Sequence, residues 1–577
     1  MAVVRGMARA APHRGSAIES LVLGRIALAI ANDDRTDAVL AIDGSLAVAF
    51  VGSLDNARAL RAELTPPDGP PPDDTVVAIV AAAYRAFGDD FTARLRGVFA
   101  GVVTDGDRLV AFRDHLGYRP LFYRVAGAEA FVASEAKQVV AGAGIAREPD
   151  LDVVGRIFHN RTDDDMPSAL RGVERLPKAS VLVVTDGQAR RIRYWDPASL
   201  LETTRLSPLD LQTRFDELMT QAVSRALTGP DVVSLSGGID SPAIAAYAAP
   251  LHLERYGTPL EALTVVYPRY PSVDERRYVE PLAETLGLPL HLYEQETNAL
   301  ADVERWVVLT DGPYRSAALA QYAEDYERAR ALGFRTVLSG EHAEFVVGMQ
   351  WSQIEHYATH GRIRPLLREL RLRHSAGRSW WSIARLLARS LAPDRVMDAR
   401  RALQRNRVST TPAWVDRRGI SPEETVPVRE RWRRLQLTAF IGPGISLEAE
   451  EVCQAVTGVR SRKPWTDIDL WELFLRLPAD QKFPDLRSKS LVRDLLRGRV
   501  PDFILDRQDK TVFDEAGLAN VDLGRLRRHL SDPAIRIAGV DYRELQRRLD
   551  SGNLGTIDYG WARSLATVHA FLAQWES

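Results

Sequence analysis

The first part of the chain is a succession of short apolar runs separated by polar turns. Runs such as 46–51 and 98–103 are too short for core helices, and Asp–Gly pairs follow several of them. Two longer stretches, 56–64 and 75–87, have helical periodicity. This pattern, which extends over about 17–200, predicts an α+β domain of packed sheets with helices outside.

The second part, from residue 208 onward, alternates buried strands with helices. Apolar runs at 232–235 and 262–267 predict strands, and 274–286 predicts a helix that stops at a glycine. A further strand is predicted at 336–338. Strand–helix repeats of this spacing indicate a doubly wound parallel sheet of the α/β class, whose ligand lies at the carboxyl ends of the strands.

The break after the first of these strands carries the clearest chemistry. Residues 236–241 are Ser-Gly-Gly-Ile-Asp-Ser and precede an alanine-rich helical stretch. A helix N-terminus offers free backbone N–H groups and the positive end of the helix dipole, so it binds anions. Gly237 and Gly238 let the backbone approach a phosphate, Ser241 caps the helix, and Asp240 is placed to hold a divalent cation. A Walker loop is excluded because no Lys-Ser/Thr pair follows the glycines.

Composition and charge limit the classes of protein and of partner that are compatible with this sequence. The 577 residues are too many for one core, and a net charge of −2 gives the whole chain no nucleic-acid signature. Because Cys453 is the only cysteine, the chain cannot form an intramolecular disulfide framework. No stretch is apolar for long enough to span a bilayer. We expect a cytoplasmic protein with no membrane span and no nucleic-acid partner.

The hexapeptide at 236–241 resembles the pyrophosphate loop of the N-type ATP pyrophosphatases. Strings at 84–88, 95–100, 113–123 and 131–137 resemble the glutaminase half of asparagine synthetases. That family uses an N-terminal cysteine as nucleophile, whereas this chain begins Met-Ala-Val. The resemblance therefore implies an inactive, glutaminase-like (Ntn-type) sandwich domain and an amine donor other than glutamine.

By this resemblance the chain divides into a basic N-terminal tail (1–16), the glutaminase-like domain (17–200) and an ATP pyrophosphatase domain of the asparagine synthetase type (208–577). The resemblance implies a site for ATP and Mg²⁺. The residues that it assigns to ATP are Ser234, Ser236, Gly237, Gly238, Asp240, Ser241, Val266, Ser339, Gly340 and Arg507.

The strand end at 339–344, Ser-Gly-Glu-His-Ala-Glu, resembles the family's Ser-Gly-Glu-Gly-Ala-Asp-Glu. By that match Glu341 is the general base that deprotonates the amine, because a protonated amine has no lone pair with which to attack. Glu344 falls on a metal-binding acid and joins Asp240 as a predicted Mg²⁺ ligand. His342 in place of glycine and Glu344 in place of aspartate depart from the family pattern. The alternative is a solvated pair of loop acids.

The last third of the chain carries one more catalytic candidate. Residues 507–513, Arg-Gln-Asp-Lys-Thr-Val-Phe, resemble the family's Arg-x-x-Lys-x-x-Phe string. Lys510 falls on the catalytic lysine, a cation that would stabilise charge on the α-phosphate and on the tetrahedral intermediate. Arg507 is then a further phosphate contact.

The region 351–410 is predicted to be helical and contains 13 arginines, no lysine and four acids. Two interpretations stay open: a solvated amphipathic helix pair, or a docking surface for an acidic partner or peptide. Nucleic acid is a third option that no recognition motif supports.

Among the relatives, we predict a lasso-peptide cyclase, because those enzymes also lack the N-terminal cysteine and commonly carry Arg-x-x-Lys-Thr-x-Phe. Such an enzyme adenylates an Asp or Glu side chain of a precursor (core) peptide and closes a macrolactam with the peptide's N-terminal amine. A leader peptidase and a leader-recognition protein are the implied partners. The alternatives are a small-molecule amide ligase, of the β-lactam synthetase or ammonia-dependent asparagine synthetase type, and a relative that binds nucleotide without chemistry.

Overall fold

A computed structural model describes most of the chain. The described residues are 1–33, 37–66, 70–163, 165–348, 350, 352–392, 411–416, 427–440, 442, 444–507, 521–552 and 554–575.

A six-stranded antiparallel sheet, in the order β11-β10-β6-β5-β4-β3, is the centre of the first domain. A two-stranded sheet (β1-β2) and a three-stranded sheet (β8-β7-β9) complete its strands. The strands are β1 Ala17–Leu23, β2 Ile26–Asn32, β3 Ala38–Asp43, β4 Leu46–Leu54, β5 Gly97–Thr104, β6 Arg108–Arg113, β7 Phe122–Ala126, β8 Glu129–Ala133, β9 Glu174–Arg175, β10 Ser180–Thr185 and β11 Gln188–Arg193.

Apolar side chains alternate between the two faces of the large sheet and form a core on each face. In β4, Val48 and Phe50 point into the core that is shared with helices Ala57–Glu63 and Val76–Phe87, whereas Ala47 points into the core that faces the smaller sheets. Successive side chains of a strand point to opposite faces, so apolar residues at odd and at even positions are both buried. The predicted sandwich of packed sheets is confirmed.

The second domain is built on a five-stranded parallel sheet in the order β14-β13-β12-β15-β16. Its strands are β12 Asp231–Ser234, β13 Glu261–Val266, β14 Leu290–Glu294, β15 Thr336–Leu338 and β16 Arg460–Arg462. The chain runs outward from β12 to β14 and then returns to place β15 on the other side of β12. Strand order reverses at β12, and ligands bind at such a switch point beside the carboxyl ends of the strands.

Helices surround this sheet and form the rest of the domain. In the sheet region they are Pro208–Ala226, Asp240–Tyr256, Arg276–Leu286, Val303–Leu309, Leu319–Ala331 and Ala343–Val347. The later ones are Gln353–Thr359, Ile363–Ser375, Trp380–Leu391, Val428–Gln436, Ile445–Thr457, Ile468–Arg476, Ala479–Lys482, Ser490–Leu495, Asp502–Leu505, Leu523–Leu530, Tyr542–Ser551 and Thr556–Leu572. The first domain adds Ala2–Arg9, Ala136–Ala143 and Leu151–Phe158.

Within the described residues, no helix is both long and apolar enough to cross a membrane. In the arginine-rich region, three helices confirm the predicted helical structure of 353–391, and residues 393–410 lie outside the described part of the chain.

Residues 1–16, which we expected to form a basic tail, instead fold against the first domain. Met7 and Ala8 of helix Ala2–Arg9 are buried. Arg14 is also buried, pairs with Glu135 and lies 2.6 Å from Glu451 through its Nη2. A basic residue next to buried carboxylates is drawn out of solvent, which the local sequence does not reveal.

Helix Ile445–Thr457 joins the two domains through buried carboxylates. Glu448 accepts hydrogen bonds from Arg113 at 3.0 Å and from Arg175 at 2.8 Å, and both arginines belong to the first domain. Glu451 accepts one from Arg119 of the same domain at 2.7 Å. Each buried charge has an opposite partner across the boundary, so the domains are held in one arrangement.

We predict that Glu448→Gln lowers the free energy of unfolding by about 3–5 kcal/mol, because it leaves two buried guanidinium groups without a carboxylate. The measurement is guanidinium denaturation followed by tryptophan fluorescence. The matched control is Asp186→Asn, which removes an exposed partner of Arg25 and should change stability by less than about 0.5 kcal/mol. Equal effects of the two variants would contradict the prediction.

Candidate active site

A cavity of about 580 Å³ opens at the carboxyl ends of β12, β13 and β15. This volume lies in the range of small-molecule sites. The predicted site residues that line it come from both sides of the switch point and are Ser234, Ser236, Asp240, Ser241, Ser339, Gly340, Glu341 and Glu344.

The glycine loop is held by its own serines and by the neighbouring strand end. The Ser236 backbone N–H donates to Ser241 Oγ at 2.9 Å, and the two hydroxyl oxygens lie 3.0 Å apart. A Cβ at Gly340 would lie 2.6 Å from the Ser241 nitrogen, so only glycine lets β15 approach the helix N-terminus this closely. The loop and the strand end after β15 therefore form one continuous wall of the cavity.

A carboxylate already accepts a hydrogen bond from a backbone N–H of this anion-binding loop. The Gly237 N–H donates to Glu275 Oε2 at 2.9 Å. Arg507 donates to Gly237 O at 2.7 Å and to Glu275 Oε1 at 3.0 Å, with its guanidinium 4.0 Å from the centre of the Tyr278 ring. A phosphate that binds this loop competes with Glu275 for the Gly237 N–H and would meet Arg507 at the same point.

Asp240 begins helix Asp240–Tyr256 and faces a lysine. Lys489 Nζ lies 2.6 and 2.5 Å from the two Asp240 carboxylate oxygens, and Trp465 Nε1 donates to the Asp240 carbonyl at 3.0 Å. Asp240 and the exposed Glu344 supply carboxylate oxygens to one cavity, which is the donor chemistry that Mg²⁺ prefers. These residues fit a metal bound against phosphates, and Lys489 adds a second positive group.

Both carboxylate oxygens of Glu341 have partners. Tyr322 donates to its Oε1, and Lys463 Nζ lies 2.9 Å from its Oε2. Burial acts to raise the pKa of Glu341, but the Lys463 ammonium and the Tyr322 hydroxyl lower it, and the net pKa lies below its usual range. Glu341 is therefore an ionised carboxylate, ready to accept a proton.

The neighbouring His342 has left-handed backbone geometry (φ 66°), which the family's glycine adopts without strain. Burial lowers its pKa to about 3, and the charge of Lys463 acts in the same direction, so the imidazole is neutral. It is not an acid at neutral pH.

Four predicted residues within the described part of the chain do not line the cavity: Gly237 and Arg507, which contact each other, and Val266 and Gly238. Val266 is buried and does not line the cavity, although Val265 and Tyr267 on either side do. Gly238 is exposed at the tip of the loop, within 3.4 Å of Ser236 Oγ through its N–H. Lys510 lies outside the described residues, so its role remains a prediction.

Sequence reasoning assigned no role to Glu275, Lys463 or Lys489, although all three contact the predicted site. Glu275 follows a short loop and Lys463 directly follows β16, and a charged residue is ordinary at both positions. Lys489 stands at the start of a helix, with left-handed backbone (φ 55°). The local sequence around these residues does not name their partners.

The chain's only cysteine does not belong to this site. Cys453 is buried in helix Ile445–Thr457, and burial raises the pKa of its thiol well above the usual value. A thiol in that environment is inert.

Comparison with known proteins agrees with this architecture. Residues 214–569 match the family described as asparagine synthase, and residues 2–195 match the glutamine amidotransferase domain. The glutamine-hydrolyzing asparagine synthetase 3 of Bacillus subtilis (strain 168) is 25% identical over 483 residues, which cover 80% of this chain and 74% of that protein.

Two further relatives have other names. The amidase chyE of Penicillium rubens is 27% identical over 307 residues, covering 50% of this chain and 43% of that protein. The carboxyethyl-arginine beta-lactam-synthase of Streptomyces clavuligerus is 31% identical over 158 residues, covering 27% of this chain and 28% of that protein. This chain therefore spans less than half of each of these two proteins.

We predict that Glu275→Ala tightens ATP binding by roughly tenfold. The substitution frees the Gly237 N–H and Arg507 from a competing carboxylate, and one such charged hydrogen bond is worth about 1.5 kcal/mol. Isothermal titration of ATP with Mg²⁺ measures the change. The control is Glu280→Ala, an exposed acid on the same helix, which should leave the affinity unchanged. Weaker binding by Glu275→Ala would mean that Glu275 supports the nucleotide rather than competing with it.

Proposed function

Since this chain belongs to the asparagine synthase family and is an ATP-dependent amide ligase, we propose that it closes a macrolactam ring in a peptide, as lasso-peptide cyclases do. The observation that carries the proposal is Glu341, an ionised carboxylate that lines the cavity and that we propose as the group that deprotonates the amine. The place of action that we propose is the cytoplasm.

The proposed reaction has two steps. A side-chain carboxylate oxygen of the core peptide attacks the α-phosphorus of ATP, the bond to pyrophosphate breaks, and an acyl-adenylate forms. The peptide's N-terminal amine then attacks the acyl carbon, the bond to AMP breaks, and Glu341 takes the amine proton. The peptide loses one water in total.

The residues divide the work as follows. Ser236, Gly237 and Ser241 line the loop that would hold the phosphates, with Arg507 beside it. Asp240 and Glu344 would hold Mg²⁺, whose charge offsets that of the phosphates. We propose Lys510 as the cation that stabilises the tetrahedral intermediate.

A peptide substrate is supported by the arginine-rich helices. Arg368, on helix Ile363–Ser375, donates to Pro484 O at 3.0 Å, and this carbonyl lies five residues before Lys489, which contacts Asp240. The two acids of the described part of these helices are neutralised: Glu369 pairs with Arg373 and Glu355 pairs with Arg431. The helices therefore keep a net positive charge, which suits a substrate or leader with acidic residues.

The partners that we propose are a precursor peptide, a leader peptidase and a leader-recognition protein. A second function, intramolecular closure of a small-molecule ring, is favoured by one observation. The β-lactam synthase relative is 31% identical over its matched segment.

The test is co-expression of the protein with a precursor peptide and a leader peptidase, followed by mass spectrometry of the peptide. Loss of one water that depends on ATP and on Asp240 supports the proposal. ATP–pyrophosphate exchange with purified protein then compares the linear core peptide with free amino acids. Exchange with a free amino acid and none with the peptide would overturn the peptide assignment in favour of the small-molecule ligase.

We predict that Glu341→Gln slows amide formation by roughly 10²–10⁴-fold, because the amine loses its base, while ATP–pyrophosphate exchange changes little. Rapid-quench measurement of adenylate and amide separates the two steps. An equal loss in both steps would show that Glu341 acts before the amine attacks, and the base role would be wrong.

A further inference from the structure

Lys463 is a buried ammonium between two carboxylates. Its Nζ lies 2.9 Å from Glu341 Oε2 and also pairs with Glu450 Oε2. The residue is 7% exposed, and Nζ lies 5.6 Å from the centre of the Tyr118 ring. Burial acts to lower the pKa of Lys463, but the two carboxylates raise it, so the group stays charged.

Lys463 stands behind Glu341 rather than in the nucleotide cavity. Glu341 lines that cavity, whereas Lys463 lines a separate cavity of about 250 Å³ between the domains, together with Arg119 and Asp55. Lys463 directly follows β16, and Glu450 lies on helix Ile445–Thr457, which joins the domains. The ammonium therefore contacts Glu341 although Lys463 does not line the nucleotide cavity.

We propose that Lys463, held by Glu450, is a positioning residue that keeps Glu341 an oriented carboxylate during attack of the amine. This inference rests on the proposed function, because it needs an amine that Glu341 deprotonates. Lys463 touches no reacting atom in this arrangement and acts only through Glu341.

Counting charges shows why one lysine serves two glutamates. Glu341, Glu450 and Lys463 together carry a net charge of −1, so the cluster becomes neutral when Glu341 accepts one proton. Without Lys463, the half-buried Glu341 and the buried Glu450 would have no cation between them, and one of the two carboxylates would take up a proton at rest. If that one is Glu341, the site has no base when the acyl-adenylate forms.

The second oxygen of Glu341 accepts a hydrogen bond from the hydroxyl of Tyr322, which is half-buried. With Lys463 on one oxygen and Tyr322 on the other, the carboxylate plane cannot rotate freely. A general base must hold its oxygen within hydrogen-bond reach of the proton that it accepts. This pair of contacts provides that orientation.

Other groups around Glu341 bear on its charge. Asp325, on the same helix as Tyr322, is half-buried, and desolvation together with the charge of Glu341 raises its pKa to about 8. Asp325 is thus protonated at neutral pH and adds no competing charge. Other titratable or charged groups around the cluster include Tyr118, Lys178, Tyr326, His342, Glu344 and Cys453.

The test compares Lys463→Met with Lys463→Arg, and with Lys137→Met as the matched control. Lys137 also bridges two buried acids, Glu135 at 2.6 Å and Asp311 at 3.5 Å, but lies outside the nucleotide cavity. Each variant is assayed for ATP–pyrophosphate exchange, for amide formation with the native amine, and for hydroxamate formation when hydroxylamine replaces that amine. Hydroxylamine is unprotonated at neutral pH, so it attacks the acyl carbon without a strong base.

For Lys463→Met we expect amide formation to fall by roughly 10²-fold or more, exchange to stay within about threefold, and hydroxamate formation to persist. Lys463→Arg should recover part of the amide rate, and Lys137→Met should leave the ratio of amide to exchange unchanged. A fall of hydroxamate and amide together, or the same ratio change in Lys137→Met, would overturn the positioning role.

A substrate-free measurement separates this inference from the proposed function. In wild type the pKa of Glu341 lies below its unfolded value, so its contribution to stability is present above that value and is lost on acidification. In Lys463→Met the pKa of a buried carboxylate rises above its unfolded value, so stability should instead fall as pH increases from about 5 to 8. If no acid is adenylated but this reversal appears, only the proposed function fails. If the reversal is absent, the inference is wrong.

Discussion

Three buried glutamates on one helix set the geometry on which the rest of the structure depends. Glu448 and Glu451 of helix Ile445–Thr457 accept hydrogen bonds from arginines of the first domain. Glu450, between them in sequence, holds Lys463 behind the candidate base Glu341. Removing a carboxylate from water is costly unless a cation meets it, so all three must find partners at once. The requirement that closes the domain boundary therefore also fixes the candidate base.

The need to pair each carboxylate with a positive group or a hydrogen-bond donor also organises the nucleotide loop. The carboxylate of Asp240 lies on Lys489, and that of Glu275 lies between the Gly237 N–H and Arg507. Each of these contacts joins groups that a nucleotide and its metal would also bind. ATP and its metal would therefore replace the present partners of these charged groups. Each group would still face an opposite charge after the replacement. This arrangement suits a reaction in which charged substrates and products must come and go.

Much of the fold could be predicted from local pattern. Alternating apolar runs such as 46–51 predicted the sandwich, because side chains at odd and at even positions pack into cores on opposite faces of the sheet. The strand–turn–helix pattern at 232–256 predicted the parallel sheet and its loop. Predicted elements differ from the observed ones by a residue or two at their ends, for example helix Arg276–Leu286 against the predicted 274–286. Residues 1–16 differ more, because partners far along the chain bury Arg14.

The sequence by itself determined the family, the sheet that carries the nucleotide loop, and eight of the residues that line the cavity, since these depend on backbone geometry and burial encoded within a few neighbouring residues. Only the tertiary structure decided which charges meet. Lys489 reaches Asp240 across 249 residues, and Arg507 reaches Glu275 across 232. Lys463 meets Glu341 because the parallel pairing of β15 and β16 brings the ends of these two strands together. A charged residue in a loop has the same local pattern whether it faces water or a partner, so its role depends on packing that no short segment contains.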